Sequence, residues 1–449
     1  MVSVVVGLGK TGVSAVRYLH NHGIAVAATD SRVAPPGVRE LGALSDTLDL
    51  RLGGFDLSLL EAATQVVMSP GVSLEEPIAR SARARGIEVL GDIELFARAV
   101  RAPVIGITGT NGKSTVTSLV AAMAAAAGRR VLAGGNLGEP ALDLLAQPVP
   151  DVYVLELSSF QLETTGSLAL QAAAVLNVTA DHMDRYATVE DYARAKARIF
   201  ANATTVVLNA DDPLVAAMRG IGGGGGGGGG GARAVTFSTL REDADYALRR
   251  EGSATMLARR GVSLLDVSRL KIRGLHNAAN ALAALALGDA AGFPLDAMLA
   301  ALENFPGLPH RSAWVADIGG VRYVDDSKGT NVGATLAAVA GLDEPLVLIA
   351  GGAGKGQDFA PLRAAFAGKV RHVVLIGQDA PALERTLAGV CVTERAASME
   401  AAVAAAARAA EVGDTVLLSP ACASLDMFQN YAHRGAVFAA AVRALQERP

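Results

Sequence analysis

The sequence predicts an α/β fold of parallel sheets arranged in three consecutive units. Three observations carry this. Short runs rich in Val, Ile, Leu and Ala alternate with helix-length segments nearly throughout. Those runs are apolar on both faces, as strands covered by helices on either side must be. The pattern also breaks twice, near "EVLGDIELF" (88–96) and near "NFPGLPHRS" (304–312), where two prolines interrupt it. The resulting boundaries are 1–91, 92–308 and 309–449. A chain of 449 residues accommodates about three domains at roughly 100–200 residues each.

The predicted strands, in order, are Val2–Val6, Val104–Thr108, Val152–Leu157, Val206–Asn209, Leu346–Ala350, Val373–Ile376 and Thr415–Ser419. The first runs into "GLGKTGVSAVRYL", which sets Gly7, Gly9 and Gly12 between a strand and a helix. Asp30 closes the next apolar run, "IAVAATD". Glycines for a tight turn, a helix start for phosphates and an acid for a ribose make up a dinucleotide fingerprint. NAD, another nucleotide or a purely structural turn all satisfy it.

The second strand enters "GITGTNGKSTVTSLV" (106–120). Two residues separate Gly109 from the Gly112–Lys113 pair, where the strict phosphate-binding loop has four. The chemistry still works. Backbone amides from Thr110 to Ser114 can wrap an anion, Lys113 can reach terminal phosphates, and Ser114 or Thr115 can offer a hydroxyl to Mg²⁺. A tight glycine turn with a solvated lysine is the alternative. ATP is expected here, at a site separate from the first turn, and a dehydrogenase does not need both.

Glu156 ends the third strand, in "YVLELSSFQLETTG". An acid on a neighbouring strand is what a loop-bound Mg²⁺ requires. Beyond it, "VLNVTADHMDRYATVEDYARAKARIF" holds His182, Asp184 and Lys196. His182 is a metal-ligand candidate because it follows a strand end beside that site. Gly222–Gly231 are ten consecutive glycines. Ordering backbone costs roughly 1–2 kcal/mol per residue and glycine has no side chain to bury, so a disordered surface loop is expected. Trp314 and the "AAVAAAARAA" segment (401–410) read as packing elements.

Composition excludes several classes. The net charge of −4 provides no field for nucleic acid or an anionic membrane. Two cysteines, Cys391 and Cys422, make no metal cluster and no disulfide framework. A basic leader pattern is missing, and the longest apolar runs fall short of the roughly 20 residues that span a bilayer. A soluble, cytoplasmic, monomeric protein is expected.

In order along the chain, "GTNGKST", "ELSSFQLE", "NVTADHMDRY", "HNAANALAALA", "GLPHR", "DDSKGTN" and "SPACASLDMF" resemble the Mur ligase family. The runs "ELSSFQLETT", "DSKGTN" and "SPACASLD" resemble its D-glutamate-adding branch. The resemblance covers essentially the whole chain. It implies an N-terminal Rossmann-like domain for the UDP of the substrate, a central ATPase domain with a P-loop parallel sheet, and a C-terminal Rossmann-like domain. The first glycine turn becomes a UDP site rather than an NAD site. Thr11, Gly12, Asp30, Ser31, Arg32 and Gly71 match UDP-contacting positions, and Asn136 one that reaches the sugar-peptide part.

The resemblance further implies ATP, two Mg²⁺ ions, UDP-N-acetylmuramoyl-L-alanine and D-glutamate. Gly109, Thr110, Asn111, Gly112, Lys113, Ser114 and Thr115 would hold the triphosphate. Ser114, Thr115 and Glu156 match partners of one Mg²⁺, and His182 matches a ligand of the second. Lys196 matches a lysine that the family carbamylates. Asn277, Asn280, Arg311 and Asp326 match nucleotide-binding positions. Lys328, Thr330, Ser424 and Tyr431 match D-glutamate-binding ones, with Phe428 close by, and Lys355 fits a further phosphate or carboxylate partner. A sibling ligase with another amino acid, an NAD-dependent oxidoreductase and a non-catalytic ATP switch are the rival readings.

Overall fold

A computed structural model describes residues 2–220, 231–342 and 344–446. The glycine run, apart from Gly231, lies outside the described residues. The chain packs into two compact units. One comprises Met1–Asn177, Glu190–Leu265 and Asn280–Leu302; the other comprises Val178–Val189, Asp266–Ala279 and Glu303–Pro449.

The first sheet contains β1 (Val2–Val6), β2 (Ala25–Asp30), β3 (Asp49–Leu52), β4 (Ala63–Met68) and β5 (Glu88–Gly91), in the order β3-β2-β1-β4-β5. All its pairings are parallel. The strand order reverses at β1. In open α/β sheets such a reversal leaves a crevice at the carboxyl ends of the flanking strands, here β1 and β4, and ligands bind there. Val4, Val6, Val66 and Met68 cover one face against Ile78, Ala79 and Ala82 of the helix Pro77–Ala84.

The central sheet contains β6 (Val104–Thr108), β7 (Val131–Gly135), β8 (Val152–Glu156), β9 (Leu170–Val175), β10 (Ala203–Asn209), β11 (Arg233–Ser238), β12 (Tyr246–Glu251), β13 (Ala254–Arg259) and β14 (Val262–Asp266). Their order is β14-β13-β12-β11-β10-β9-β6-β8-β7. β6 lies between β8 and β9 and is parallel to both. The loop that leaves β6 is therefore bordered by the ends of two neighbouring strands.

The third sheet contains β15 (Ala313–Ile318), β16 (Val321–Asp325), β17 (Leu346–Gly351), β18 (Val370–Ile376), β19 (Val392–Arg395) and β20 (Thr415–Leu418), in the order β15-β16-β20-β17-β18-β19. Its central strand β17 is buried throughout. Leu346, Leu348 and Ala350 enter one core, Val347 and Ile349 the other. Alternate residues point to opposite faces of a strand, so helices cover both faces, as the unbroken apolar run predicts.

The predicted strands are all present: Val2–Val6 and Val104–Thr108 have the predicted bounds, and the others differ at one end by one to three residues. Antiparallel pairs depart from an all-parallel arrangement. β12 pairs antiparallel with β13, and β15 with β16. The second pair turns through Gly319 and Gly320, both at positive φ (59° and 80°), the geometry a tight two-residue hairpin demands. Trp314 corrects another expectation. It is 64% exposed on the edge strand β15 and packs no core. The alanine-rich segment does pack: the helix Met399–Ala409 buries Met399, Ala402, Val403, Ala405 and Ala406.

Candidate active site

The turn after β1 presses the start of the helix Lys10–Asn21 onto the strand end. A Cβ on Gly12 would lie 1.9 Å from the Gly7 carbonyl oxygen, so only glycine fits. Gly12 is buried there and does not line the adjoining cleft. The cleft has a volume of about 500 Å³, and Thr11, Asp30, Ser31, Arg32, Gly71 and Asn136 line it together with Gly7, Gly9, Ser69 and Gln161. It opens where the strand order reverses.

Asp30 is occupied by the chain's own groups. The Leu8 amide donates to Oδ2 at 2.7 Å, and the Arg32 amide to Oδ1 at 2.9 Å. The Arg32 guanidinium spans both oxygens, with Nε at 2.9 Å from Oδ1 and Nη2 at 2.7 Å from Oδ2. Burial opposes ionisation of Asp30, but these hydrogen bonds outweigh it and hold the carboxyl down at about 2. The Arg32 side chain stays 52% exposed, so a fixed cation stands at the cleft.

After β6, Gly109–Gly112 lead into the helix Lys113–Ala126. Gly112 is its N-cap, at φ 83° and without a side-chain cap. A Cβ there would sit 2.4 Å from Asn280 Oδ1, so the loop and Asn280 touch. Two expected anion-binding amides are engaged elsewhere. Thr110 N donates to the Asn177 carbonyl at 2.9 Å, and Asn111 N to Asn177 Oδ1 at 2.8 Å. Asn177 Nδ2 returns a hydrogen bond to the Asn111 carbonyl at 3.1 Å. Lys113 folds over its own loop, donating to the Gly109 and Thr110 carbonyls at 2.8 and 2.9 Å. Lys196, only 1% exposed, donates to the same Gly109 carbonyl at 2.9 Å, and its Nζ lies 4.2 Å from the Tyr192 ring centroid.

Glu156 ends β8 in register with Ile107 of β6. It is 3% exposed. Asn136 Nδ2 donates to its Oε1 at 2.6 Å, while its Oε2 is buried with no hydrogen-bond partner. The Thr108 hydroxyl, at the end of β6, is a second buried oxygen without one. Buried polar atoms are nearly always partnered, and an open carboxylate oxygen at the end of a strand that neighbours β6 fits a hard cation. Among the described residues, no cluster of three or more His, Cys, Asp or Glu could hold a metal by itself.

The second compact unit carries the other candidates. His182 has φ 58°, and its amide donates to Asp181 Oδ1 at 2.9 Å. Asp181 is buried. It also accepts from Asn331 Nδ2 at 3.2 Å and pairs with Lys355 Nζ at 3.4 Å, so Lys355 is an anchored lysine. Lys328 Nζ lies 3.9 Å from the Tyr431 ring centroid, which brings two predicted amino-acid contacts together. Thr330 N donates to the Lys328 carbonyl at 2.8 Å, and Phe428 N to the Ser424 carbonyl at 2.8 Å. Asp326 accepts from Ser419 Oγ at 2.8 Å and from Ser312 N at 3.2 Å. Burial pushes its carboxyl up to about 7, against the pull of those bonds and of the Arg311 charge. Asn277 donates to the Arg273 carbonyl at 2.7 Å.

Family models match the chain in three stretches: a MurD-like N-terminal domain of Mur ligases over residues 2–91, the Mur ligase middle domain over 107–288, and the Mur ligase glutamate ligase domain over 310–422. The UDP-N-acetylmuramoylalanine–D-glutamate ligase of Nitrosococcus oceani is 54% identical over 99% of this chain and 96% of that protein. The chain belongs to the Mur ligase family. The ligase of the same description from Methylococcus capsulatus is 52% identical over 98% of this chain and 94% of its own. Among solved structures, the UDP-N-acetylmuramate–alanine ligase of Thermotoga maritima superposes with a TM-score of 0.62 at 19% identity, covering 99% of each chain. That likeness is one of fold.

Several residues of this Mur ligase escape local sequence reading. Asn177 and Asp181 flank "VTA" in the same run as His182, yet only the histidine stands out by its chemistry. Arg434 is fully buried and donates to the Ser327 carbonyl at 2.8 Å, Ser327 Oγ at 3.0 Å and the Cys422 carbonyl at 3.1 Å. It ties "DDSKGTN" to "SPACASLD", and burial pulls its pKa down to about 10. An arginine in a helix gives no local hint of that.

Proposed function

We propose that this chain is an ATP-dependent amide-bond ligase that adds D-glutamate to UDP-N-acetylmuramoyl-L-alanine, a cytoplasmic step of peptidoglycan precursor synthesis. One observation of geometry carries the reading beyond the family. Asn136 lines the N-terminal cleft and donates to Glu156 beside the phosphate loop. The two anion cradles therefore meet through one hydrogen bond inside one compact unit. An oxidoreductase has no use for the second cradle, and a simple ATPase has none for the first.

The chemistry needs this pairing. A carboxylate is a poor electrophile. Its oxygen attacks the γ-phosphorus of ATP, ADP leaves, and an acyl phosphate forms. The glutamate amine then attacks the carbonyl carbon, phosphate departs, the amine loses a proton, and an amide remains. The protein's contribution is positioning and charge neutralisation. Arg32, Thr11, Ser31 and Gly71 bind the UDP end, and Asn136 the sugar-peptide end. Lys113 exchanges its loop carbonyls for the oxygens of the transferring phosphoryl group. Ser114, Thr115 and Glu156 would hold one Mg²⁺, His182 would be a ligand of a second, and Lys196 would be carbamylated as a metal ligand; bound, the ions would neutralise the triphosphate. Asn277, Asn280, Arg311 and Asp326 serve the adenosine. Lys328, Thr330, Ser424, Phe428 and Tyr431 serve D-glutamate, with Lys355 a further anion contact. The work divides among domains 1–91, 92–308 and 309–449. Among the described residues no helix is long and apolar enough to cross a membrane.

The test is phosphate release with ATP, Mg²⁺ and UDP-N-acetylmuramoyl-L-alanine, comparing D-glutamate, L-glutamate and other amino acids. Release that requires the nucleotide-sugar and D-glutamate together is expected. Release indifferent to the amino acid, or saturable NADH binding without ATP dependence, overturns the proposal.

A further inference from the structure

Asp92 is a buried acid with no part in the chemistry above. It stands where β5 passes into the helix Asp92–Ala99 and is 2% exposed. Its Oδ2 accepts from Gln161 Nε2 at 3.0 Å, and its Oδ1 has no hydrogen-bond partner. Burying a carboxylate is costly unless it is paired, so a compensating role is expected at this position. Neighbouring Gly91 adds to it: a Cβ there would lie 2.3 Å from Thr164 Oγ1. The chain leaving the first sheet is therefore seated tightly on the end of the helix Ser159–Glu163.

Gln161 is the other half. Its Oε1 accepts from Ser158 N at 3.1 Å and Ser158 Oγ at 3.2 Å. A backbone N–H can only donate, so that bond fixes which end of the carboxamide is oxygen. The nitrogen must then face Asp92. One of its two N–H bonds goes to Asp92, and Gln161 lines the N-terminal cleft. Asn136, the residue that reaches Glu156 and matches a sugar-peptide contact, lines the same cleft.

We propose that Asp92 is a positioning residue for the nucleotide-sugar: it locks the Gln161 carboxamide so that the remaining N–H donates to an acceptor oxygen on the sugar portion, a role that rests on reading this cleft as the nucleotide-sugar site. Burial raises the Asp92 carboxyl to about 6 despite the pull of Gln161 and of the nearby Ile93 and Asp92 amides. At neutral pH it is mainly ionised and accepts only, which keeps the amide nitrogen turned toward it.

Binding of UDP and of UDP-N-acetylmuramoyl-L-alanine to the full chain separates the possibilities. Asp92→Leu removes the acceptor and is expected to weaken the nucleotide-sugar about tenfold, the worth of one hydrogen bond, while UDP binds as before. Asp92→Asn keeps an acceptor oxygen and should stay within about twofold of the parent. The double variant Asp92→Leu/Gln161→Met should bind no more weakly than Gln161→Met alone, since the two residues act in series. If Asp92→Leu fails to fold, Gln161→Met carries the same selective expectation. Equal weakening of both ligands, no weakening of either, or a loss in Asp92→Asn as large as in Asp92→Leu overturns the proposal. A parent protein that binds neither ligand instead overturns the proposed function, and this role with it.

Discussion

A carboxylate oxygen sealed from water without a partner, as at Glu156, costs stability, and its neighbours show what the arrangement gains. Asn136 secures one oxygen and leaves the other open beside the strand that carries the phosphate loop. Gly12 shows the same priority by steric means. The 1.9 Å approach to the Gly7 carbonyl leaves no room for even a methyl group, and the obstacle is backbone, which cannot swing aside. Gly12→Ala is therefore expected to destabilise the first sheet by on the order of 3 kcal/mol and to abolish UDP binding. Urea unfolding and UDP titration check this, and a parent-like midpoint would show that the helix start is free to move. The fingerprint's last glycine is thus required for packing, while Thr11, Asp30, Ser31, Arg32, Gly71 and Asn136 line the cleft. Spacing alone cannot separate these two roles, because both require a small residue at the same turn.

At the scale of elements, the phosphate loop is stapled to the strand end that follows β9. Asn177 takes the amides of Thr110 and Asn111 and returns a bond to Asn111. That staple fixes the first half of the loop, and the helix start at Gly112 presents the second. Asn177→Ala should loosen the loop and raise the KM for ATP about tenfold, the effect of losing roughly one hydrogen bond, with nucleotide-sugar affinity unchanged. Steady-state kinetics with each substrate varied in turn decide it, and a matching rise for both substrates would point to general unfolding. The buried parallel strands were legible because an unbroken apolar run such as Leu346–Ala350 fits a strand covered on both faces and little else. The β12–β13 and β15–β16 hairpins were not, since their outward positions carry Arg249, Trp314 and Asp317 and blur the apolar pattern. The Asn177 staple, the Asp181 hub and the Gln161–Asp92 pair were hidden for another reason. Their partners lie 66 to 174 residues away in the chain, and local spacing carries no information at that range.

Across the whole molecule, three buried acids give stability a defined pH dependence. Asp92 and Asp326 hold their protons up to about 6 and about 7, whereas an unfolded chain releases them near 4. Between about pH 4 and 7 the folded state binds more protons than the unfolded one, so stability is fullest below that window and falls as pH rises through it. Asp30 acts in the opposite sense. Held at about 2, it contributes stability above about pH 4 that is lost as pH falls toward 2. Together these groups favour a maximum on the mildly acidic side. Asn can replace either raised acid without losing its acceptor: at Asp326 the amide oxygen can take the Ser312 amide while the nitrogen donates to Ser419. The double variant Asp92→Asn/Asp326→Asn should therefore unfold with a much flatter pH dependence. Each pH unit of unequal proton binding is worth about 1.4 kcal/mol, so the drop between pH 5 and pH 8 should shrink by on the order of 4 kcal/mol. Denaturant titrations of parent and variant at those two pH values measure it directly. Parallel curves would mean that both acids are ionised in the folded protein across the range, and that water or a cation reaches the sites where the structure places them in isolation.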